Sequence, residues 1–359
     1  MKKKTIDIDI ANQLYADPEN YIDSFNLVYA SDDILIIERH KKDKEFIYLK
    51  KGKSVKSKKV IKRINDLVVP PAWQKVRIAD LSNAHIQAIG RDLKGRKQYK
   101  YHVHWSKIRN RTKFYKMYAF GLQLPKLRAQ VEIDLKHKKW TRTKVLALIL
   151  KLLEETHVRI GNSYYAKTNE TYGLSTLRSK HVDIYKDKLK FEFVGKRGKQ
   201  HSITIRNKKL IRLVSQCEEI PGWELFKFFD AEGNKHSVDS TMINDYIHEL
   251  SGDLFTAKDF RTWGASKICF ETLENIGLSE NEKHAKKNIL KAIDTASEAL
   301  GNTRNVLRKY YVHPLIMDSY LDGSIETYFN NSDTIDGLTT TESSMLNLIS
   351  TYKPKLQLQ

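Results

Sequence analysis

Apolar and polar residues repeat at two different periods along this chain, and the change of period divides it. Between residue 24 and about residue 106 the spacing is that of strands: LVYA, DILIIER, EFIYLKK and KVRIAD are short β-rich runs set apart by charged and turn-forming residues. Among them, VIKRINDLVVPPAW predicts one helix, stopped by Pro70 and Pro71. HIQAIGRDLKGRKQYKYHVHW predicts a hairpin, a strand followed by a loop with two glycines and a second strand. In that second strand Tyr99, Tyr101, Val103 and Trp105 alternate with Lys100, His102 and His104, which puts aromatic and basic groups on opposite sides.

Beyond about residue 108 a helical period takes over. TKVLALILKLLEETHVRIGN places Val145, Leu148, Ile149, Leu152 and Leu153 on one stripe. Residues 181–205 interrupt it with two strands, KLKFEFVGK and HSITI, joined by GKRGK, whose cations and glycines predict an exposed, flexible, positive hairpin tip. Helices resume in TAKDFRTWGASKICFETLENIG, where Thr256 and Asp259 have capping-box spacing. KNILKAIDTASEALG follows, with Ile289, Ile293, Ala296 and Leu300 on one face and Gly301 as its C-cap. The Thr- and Ser-rich stretch from about 334 reads as a mobile tail, and no internal repeat is visible. The expected fold class is α+β: a small antiparallel β-rich domain over 1–108, a larger mainly helical domain with a small β-hairpin over 109–333, and a tail over 334–359.

Composition adds a partner to this picture. The 359 residues, 40% of them hydrophobic, are enough for two or three domains with real cores. Lys and Arg number 63 against 43 Asp and Glu, a net charge of +20 spread along the whole chain. A globular protein with that excess repels itself unless an anionic partner compensates, and nucleic acid is the commonest such partner. A generally lysine-rich proteome is the plain alternative. The two cysteines, Cys217 and Cys269, are far apart and lack CxxC context, which argues against a disulfide framework and against a zinc site. MKKKTIDIDI offers no apolar stretch for a signal peptide, and no run approaches the ~20 apolar residues of a membrane span. A soluble, cytoplasmic protein with no membrane partner is expected. With no GxxxxGK[ST] loop and no carboxylate or Cys/His cluster at metal-site spacing, neither cofactor nor metal is expected.

Several residues invite a chemical reading. Arg159 lies seven residues after Leu152, on what would be the apolar face of its helix, and Arg261 sits one turn ahead of Ala265 and two ahead of Ile268. An inward guanidinium needs an anionic partner, because an unpaired buried charge costs several kcal/mol; a core carboxylate would make either a structural ion pair. Lys196, on the hairpin tip, reads by itself as a solvated loop lysine. Asn302 and Thr303, between two helices, read as caps. Tyr310 and Tyr311 in LGNTRNVLRKYYVHP both fit packing on Leu307, and periodicity does not choose between them.

Taken together, these positions resemble the type IB DNA topoisomerases, in the small poxvirus-like form also found in bacteria. The resemblance covers about residues 24–322 and rests on an ordered set: VVPPAW, HIQAIGRD, GRKQYKYH, AFGLQLPKLRAQV, HVRIGNSYYAKTNETYGLSTLRSKHV, FVGKRG, VDSTMINDYI, FTAKDFRTW and LGNTRNVLRKYYVHP. It implies that Arg159 in VRIG and Arg261 in KDFR are the two catalytic arginines and that Lys196 in VGK is the hairpin lysine. Asn302 would be the phosphate-binding residue, and Tyr311, nine residues further on, the nucleophile, with Tyr310 packing beside it. Poxvirus members have His where this chain has Asn302; an amide can donate to a phosphate oxygen but cannot transfer a proton. The resemblance further implies double-stranded DNA as partner, a monomer that clamps the duplex between an N-terminal β-rich domain and a helical catalytic domain, and DNA contacts from Gln98, Tyr99, Tyr101 and Tyr165.

The implied reaction is attack of the Tyr311 oxygen on a phosphodiester, giving a 3′-phosphotyrosyl link and a free 5′-hydroxyl, rotation of the opened duplex, and resealing. Two guanidiniums would neutralise the charge on the non-bridging oxygens, and Lys196, alone or with Arg261, would protonate the leaving oxygen. A tyrosine recombinase is the nearest alternative, but recombinases show His-x-x-Arg where this chain has Lys258-x-x-Arg261, and they lack PPAW and GRKQY. An architectural DNA-binding protein would account for the charge and not for the inward arginines.

Overall fold

The computed structural model describes residues 4–5, 22–43, 45–329, 334–353 and 355–356; apart from Lys4–Thr5, the opening MKKKTIDIDI segment lies outside the described residues. Two units divide the chain, Met1–Lys116 with Lys353–Gln359, and Met117–Tyr352.

In the first unit the alternating runs pair into an antiparallel sheet. Its strands are β1 (Ile37–Lys42), β2 (Glu45–Lys50), β3 (Lys53–Ser54), β4 (Gln74–Ile78), β5 (Ile86–Arg91) and β6 (Lys97–Tyr101), in the order β3-β2-β1-β4-β5-β6. Helix α1 (Lys58–Asp66) starts where the Ser57 side chain accepts from the Val60 N–H and stops just short of Pro70. Its Ile64 is buried with Ile37, Val76, Ile78 and Ala88. The LVYA run forms no strand; it contributes a single bridge, Val28 to Ala84. A short antiparallel pairing of Lys4–Thr5 with Lys355–Leu356 returns the end of the chain to this unit.

The hairpin expected over 85–105 ends early. β6 stops at Tyr101, and Val103 opens a long helix, α2 (Val103–Asp134), so Val103 and Trp105 are helical and not part of an alternating strand. The His102 N–H makes the last sheet-like bond, to the His85 carbonyl at 2.8 Å, and its Nδ1 then accepts from the His104 N–H at 3.2 Å. An imidazole thus does the capping that a Ser, Thr, Asp or Asn usually does. The two units divide within α2, after Lys116.

The second unit is mainly helical around one core. Helix α3 (Arg142–Thr156) buries both its stripe and most of its other faces, and α4 (Ser163–Asn169) follows. Then comes a three-stranded antiparallel sheet of β7 (Val182–Ile184), β8 (Leu189–Val194) and β9 (Gln200–Ile205), with β8 central. Next are α5 (Lys208–Glu218), the small hairpin of β10 (Lys227–Phe229) and β11 (Lys235–Ser237), α6 (Ser240–Ser251), α7 (Ala257–Ile276), α8 (Glu282–Leu300), α9 (Arg304–Tyr310) and α10 (Pro314–Leu321). The stretch read as a mobile tail is different in the structure. Thr340–Ser350 form a helix, α11, opened by a Thr339–Glu342 capping box, and its Met345, Leu346, Leu348 and Ile349 are buried in the main core. Buried Glu342 accepts from Arg128 at 2.7 and 2.9 Å and from the Trp263 indole at 3.0 Å.

Candidate active site

Four of the five side chains assigned to chemistry meet in the second unit, each delivered by a different element. Helix α3 ends at Thr156 because His157 turns left-handed (φ 53°, ψ 18°). Arg159 therefore lies beyond the helix, not on its apolar face as the spacing suggested. The segment that carries it is held by backbone bonds, the Arg159 carbonyl accepting from the Leu174 N–H at 2.9 Å and the Ile160 carbonyl from the Ser175 N–H at 2.6 Å. Gly173 makes this approach possible: a Cβ there would stand 2.4 Å from the Arg159 carbonyl oxygen.

Arg261 comes from the first turns of α7, below the Thr256–Asp259 box, in which the Asp259 carboxylate accepts from the Thr256 N–H at 2.8 Å. It is only 4% exposed. Its guanidinium donates to the Leu300 carbonyl at 3.0 Å, and its carbon sits 5.7 Å from the Tyr311 ring centroid. Asn302 follows α8, whose C-cap Gly301 is left-handed (φ 63°). The Asn302 Oδ1 accepts from the Arg159 guanidinium. Tyr311 closes α9 and is half-buried against the core, whereas Tyr310 points outward beneath Lys309. Ser266, five residues along α7 from Arg261, ties the nucleophile candidate's backbone down: its hydroxyl donates to the Tyr311 carbonyl at 3.2 Å and accepts from the His313 N–H at 3.0 Å.

Among the described residues neither arginine pairs with a carboxylate, so the structural ion-pair reading of both fails. Instead Arg159 donates to the Asn302 amide oxygen, and Arg261 lies beside the Tyr311 ring. Among the described residues, Arg261 Nε and Asn302 Nδ2 are buried donors with no partner. Buried donors are ordinarily satisfied, so a cation pair flanked by two unused N–H groups is suited to hold an anion. Burial by itself would raise the Tyr311 phenol, but the charges of Arg261 and Arg159, the hydrogen bond from Arg261 and the charge of Lys258 outweigh it and hold the phenol below its ordinary value. Burial, and then the like charge of Arg159, lower Arg261 in turn; a guanidinium so lowered is still a cation at neutral pH.

Lys196 sits exposed on a tight turn, Lys196–Gly198, at the tip of the β8–β9 hairpin, where Arg197 is left-handed (φ 65°) and the Gly195 N–H bonds the Lys199 carbonyl at 2.7 Å. Among the described residues its ammonium has no hydrogen bond or ion pair. Sequence reasoning misses Lys258, whose charge acts on the phenol, and Ser266. Lys258 stood in the KDFR motif, three residues before Arg261, and its charge was the available signal; Ser266 had none.

The residues assigned to DNA contact lie in both units. In the first, Tyr99 and Tyr101 share a face of edge strand β6, their rings stacked at 5.8 Å and 39% and 37% exposed. Lys97 lies 5.4 Å from the first ring and the Arg109 guanidinium 5.8 Å from the second. Gln98, on the other face, donates to Asp92 at 3.0 Å. In the second unit Tyr165 is half-buried near the start of α4, its ring edge-on to Tyr164. No helix of the described residues is long and apolar enough to cross a membrane.

Comparison with known proteins bears on the whole arrangement. Residues 96–334 match the family described as eukaryotic DNA topoisomerase I, catalytic core, and residues 45–92 match bacterial DNA topoisomerase IB, N-terminal domain. The chain is 35% identical over 310 residues to DNA topoisomerase 1B of Acanthamoeba polyphaga mimivirus, covering 83% of this chain and 88% of the relative. It is 23% identical over 239 residues to DNA topoisomerase 1B of Vaccinia virus (strain Copenhagen), covering 65% and 72%.

Proposed function

The chain belongs to the type IB DNA topoisomerases, and we propose that Tyr311, Arg159, Arg261, Asn302 and Lys196 carry its reaction. The enzyme acts on DNA as an isomerase. The Tyr311 oxygen attacks a backbone phosphorus while the bond to the 5′ oxygen breaks; Lys196 gives its proton to that oxygen, and the phenol loses its own. Negative charge builds on the non-bridging oxygens. Arg159 and Arg261 are permanent cations that offset it, and the unused N–H groups of Arg261 and Asn302 add donors. The opened duplex rotates, superhelical strain of either sign is released, and the 5′-hydroxyl attacks back. Because the phosphotyrosyl link keeps the phosphoester energy, the cycle needs no nucleotide, and the two arginines and the lysine supply the positive charge.

The observation that carries this reading is that the charges of two arginines, neither paired with a carboxylate among the described residues, act on one phenol, with two buried donors left unused beside them. The lysine reaches the phosphate on an exposed hairpin tip. Tyr99, Tyr101, Gln98 and Tyr165 contact the duplex; phosphate contacts position it and base-edge contacts tune site choice. One chain supplies every group, so a monomer is the working unit. The cytoplasm, where chromosomal DNA is reached directly in bacteria, is its compartment.

The test is plasmid relaxation in EDTA without ATP, with both positively and negatively supercoiled substrates. Tyr311→Phe is expected to bind DNA but neither relax it nor form a covalent complex, while Tyr310→Phe retains activity. Peptide mapping of the trapped complex identifies the tyrosine that carries DNA. Relaxation by Tyr311→Phe, or loss of wild-type relaxation on chelation, would overturn the reading.

A further inference from the structure

One imidazole lies between the lysine hairpin and the arginine cluster. His201 is on β9, opposite Phe193 of β8, and its ring stacks on the Phe193 ring at 4.9 Å with 13° between the planes. Its Cδ2 and Nε2 edge is packed so closely on Gly195 that a Cβ there would stand 2.6 Å from both atoms. On the far side, a Cβ on Gly301 would stand 2.6 Å from Cε1 of the same ring. Gly195 immediately precedes Lys196, and Gly301 immediately precedes Asn302. A single flat side chain therefore fills the slot between the two backbones that carry the hairpin lysine and the anion-binding amide.

We propose that His201 is a positioning residue: it docks the Lys196 hairpin onto the Gly301–Asn302 turn, so that the ammonium is delivered to the oxygen leaving the phosphate that Asn302 holds. This rests on Lys196 being the general acid. The tip itself cannot supply the alignment. Gly198 (φ 76°) and Arg197 (φ 65°) shape a turn whose cross-links, among the described residues, are backbone bonds within the hairpin. A proton donor must come within hydrogen-bond reach of its acceptor, and small misplacement is costly in rate. An imidazole suits the slot because it is thin enough to pass between two glycines and flat enough to stack on Phe193. Burial, followed by the charges of Arg159, Lys199 and Arg261, keeps it neutral down to about pH 4, so it adds no competing cation beside the phosphate.

The experiment compares single-turnover cleavage of two duplexes carrying the same mapped cleavage site, one ordinary and one with sulfur in place of the bridging 5′ oxygen. A thiol leaves as the thiolate without protonation, since its pKa is only ~8.5, so the sulfur substrate does not need the general acid. His201→Ala is expected to slow cleavage of the ordinary substrate by about 30-fold, a fraction of the ~10²–10⁴-fold that general acid catalysis contributes. On the sulfur substrate it should stay within about 3-fold of wild type. Lys196→Ala should show the same pattern with a larger loss. If Lys196→Ala is slow on both substrates, the general-acid reading itself is wrong. If sulfur rescues Lys196→Ala but not His201→Ala, or if His201→Ala cleaves the ordinary substrate at the wild-type rate, His201 does not act through the lysine. Melting temperature and DNA affinity monitor folding; should the alanine variant not fold, His201→Asn, shorter but still polar, gives the same two-substrate readout.

Discussion

A phenol beside two guanidiniums titrates differently from the other tyrosines of the same chain. In the free protein, Tyr311 is expected to ionise below the ordinary ~10, because Arg261, Arg159 and Lys258 outweigh its burial. Difference absorbance during a pH titration should therefore show one of the 18 tyrosines ionising early. That step should vanish in Tyr311→Phe and move upward in Arg261→Gln; an unchanged profile in Arg261→Gln would contradict the coupling. Cleavage should rise with pH through the same value. Truncating either arginine to Ala should slow cleavage by about 10²–10³-fold, the usual effect of removing one preorganised donor. At this scale the sequence was uneven as a guide. Arg261 was legible because its helix continues past it and keeps Ala265 and Ile268 on the same side. Arg159 was placed inward by a helix that in fact ends at Thr156. A left-handed His157 terminates it, and no glycine marked that position. His201 looked like one polar position in an alternating strand, since its neighbours Gly195 and Gly301 are near only in space.

Among the secondary-structure elements, α11 makes the sharpest prediction. Glu342 is buried between Arg128 and the Trp263 indole on α7, the helix that carries Arg261. Burial would raise its carboxyl, but Arg128, the Thr339 N–H and Trp263 bring it down to about 2. Glu342→Ala leaves Arg128 with Glu154 as its remaining acidic partner and should cost about 3–5 kcal/mol, the usual effect of breaking a buried pair, measured by chemical denaturation. Ending the chain at residue 339 should be worse, because it also removes Met345, Leu346, Leu348 and Ile349 from the core. A tolerated truncation would support the mobile-tail reading. The tail looked mobile because Thr and Ser dominate its composition; the Thr339–Glu342 box and the MLNLI run inside it were local signals that the average concealed. The sheet of the first unit was readable for the opposite reason, since alternation repeats from strand to strand. Where alternation continued by chance into Val103 and Trp105, the pattern overran the real strand end.

Over the whole chain, charge and protonation set the working range. With a net charge of +20, DNA affinity should fall steeply between low and moderate salt as counterions are displaced; affinities that stay flat across that range would count against phosphate tracking. Acid should destabilise the fold. Burial, reinforced by nearby cations, lowers His157, His181 and His201 to about 4, below the ~6.5 of an unfolded histidine. The unfolded chain therefore binds more protons in that window, and the stability present above ~6.5 is lost as pH falls toward 4. Melting temperature against pH should show this decline, and His181→Gln should flatten it. The Ser266 hydroxyl, bonded to the Tyr311 carbonyl on one side and the His313 N–H on the other, has a mechanical consequence at this scale. In the proposed reaction, a duplex tethered through Tyr311 would pull on that residue as it turns. The clasp would pass that torque into α7, a helix whose Phe260, Trp263, Cys269 and Phe270 are sunk in the core, and so give the proposed tether a firm footing.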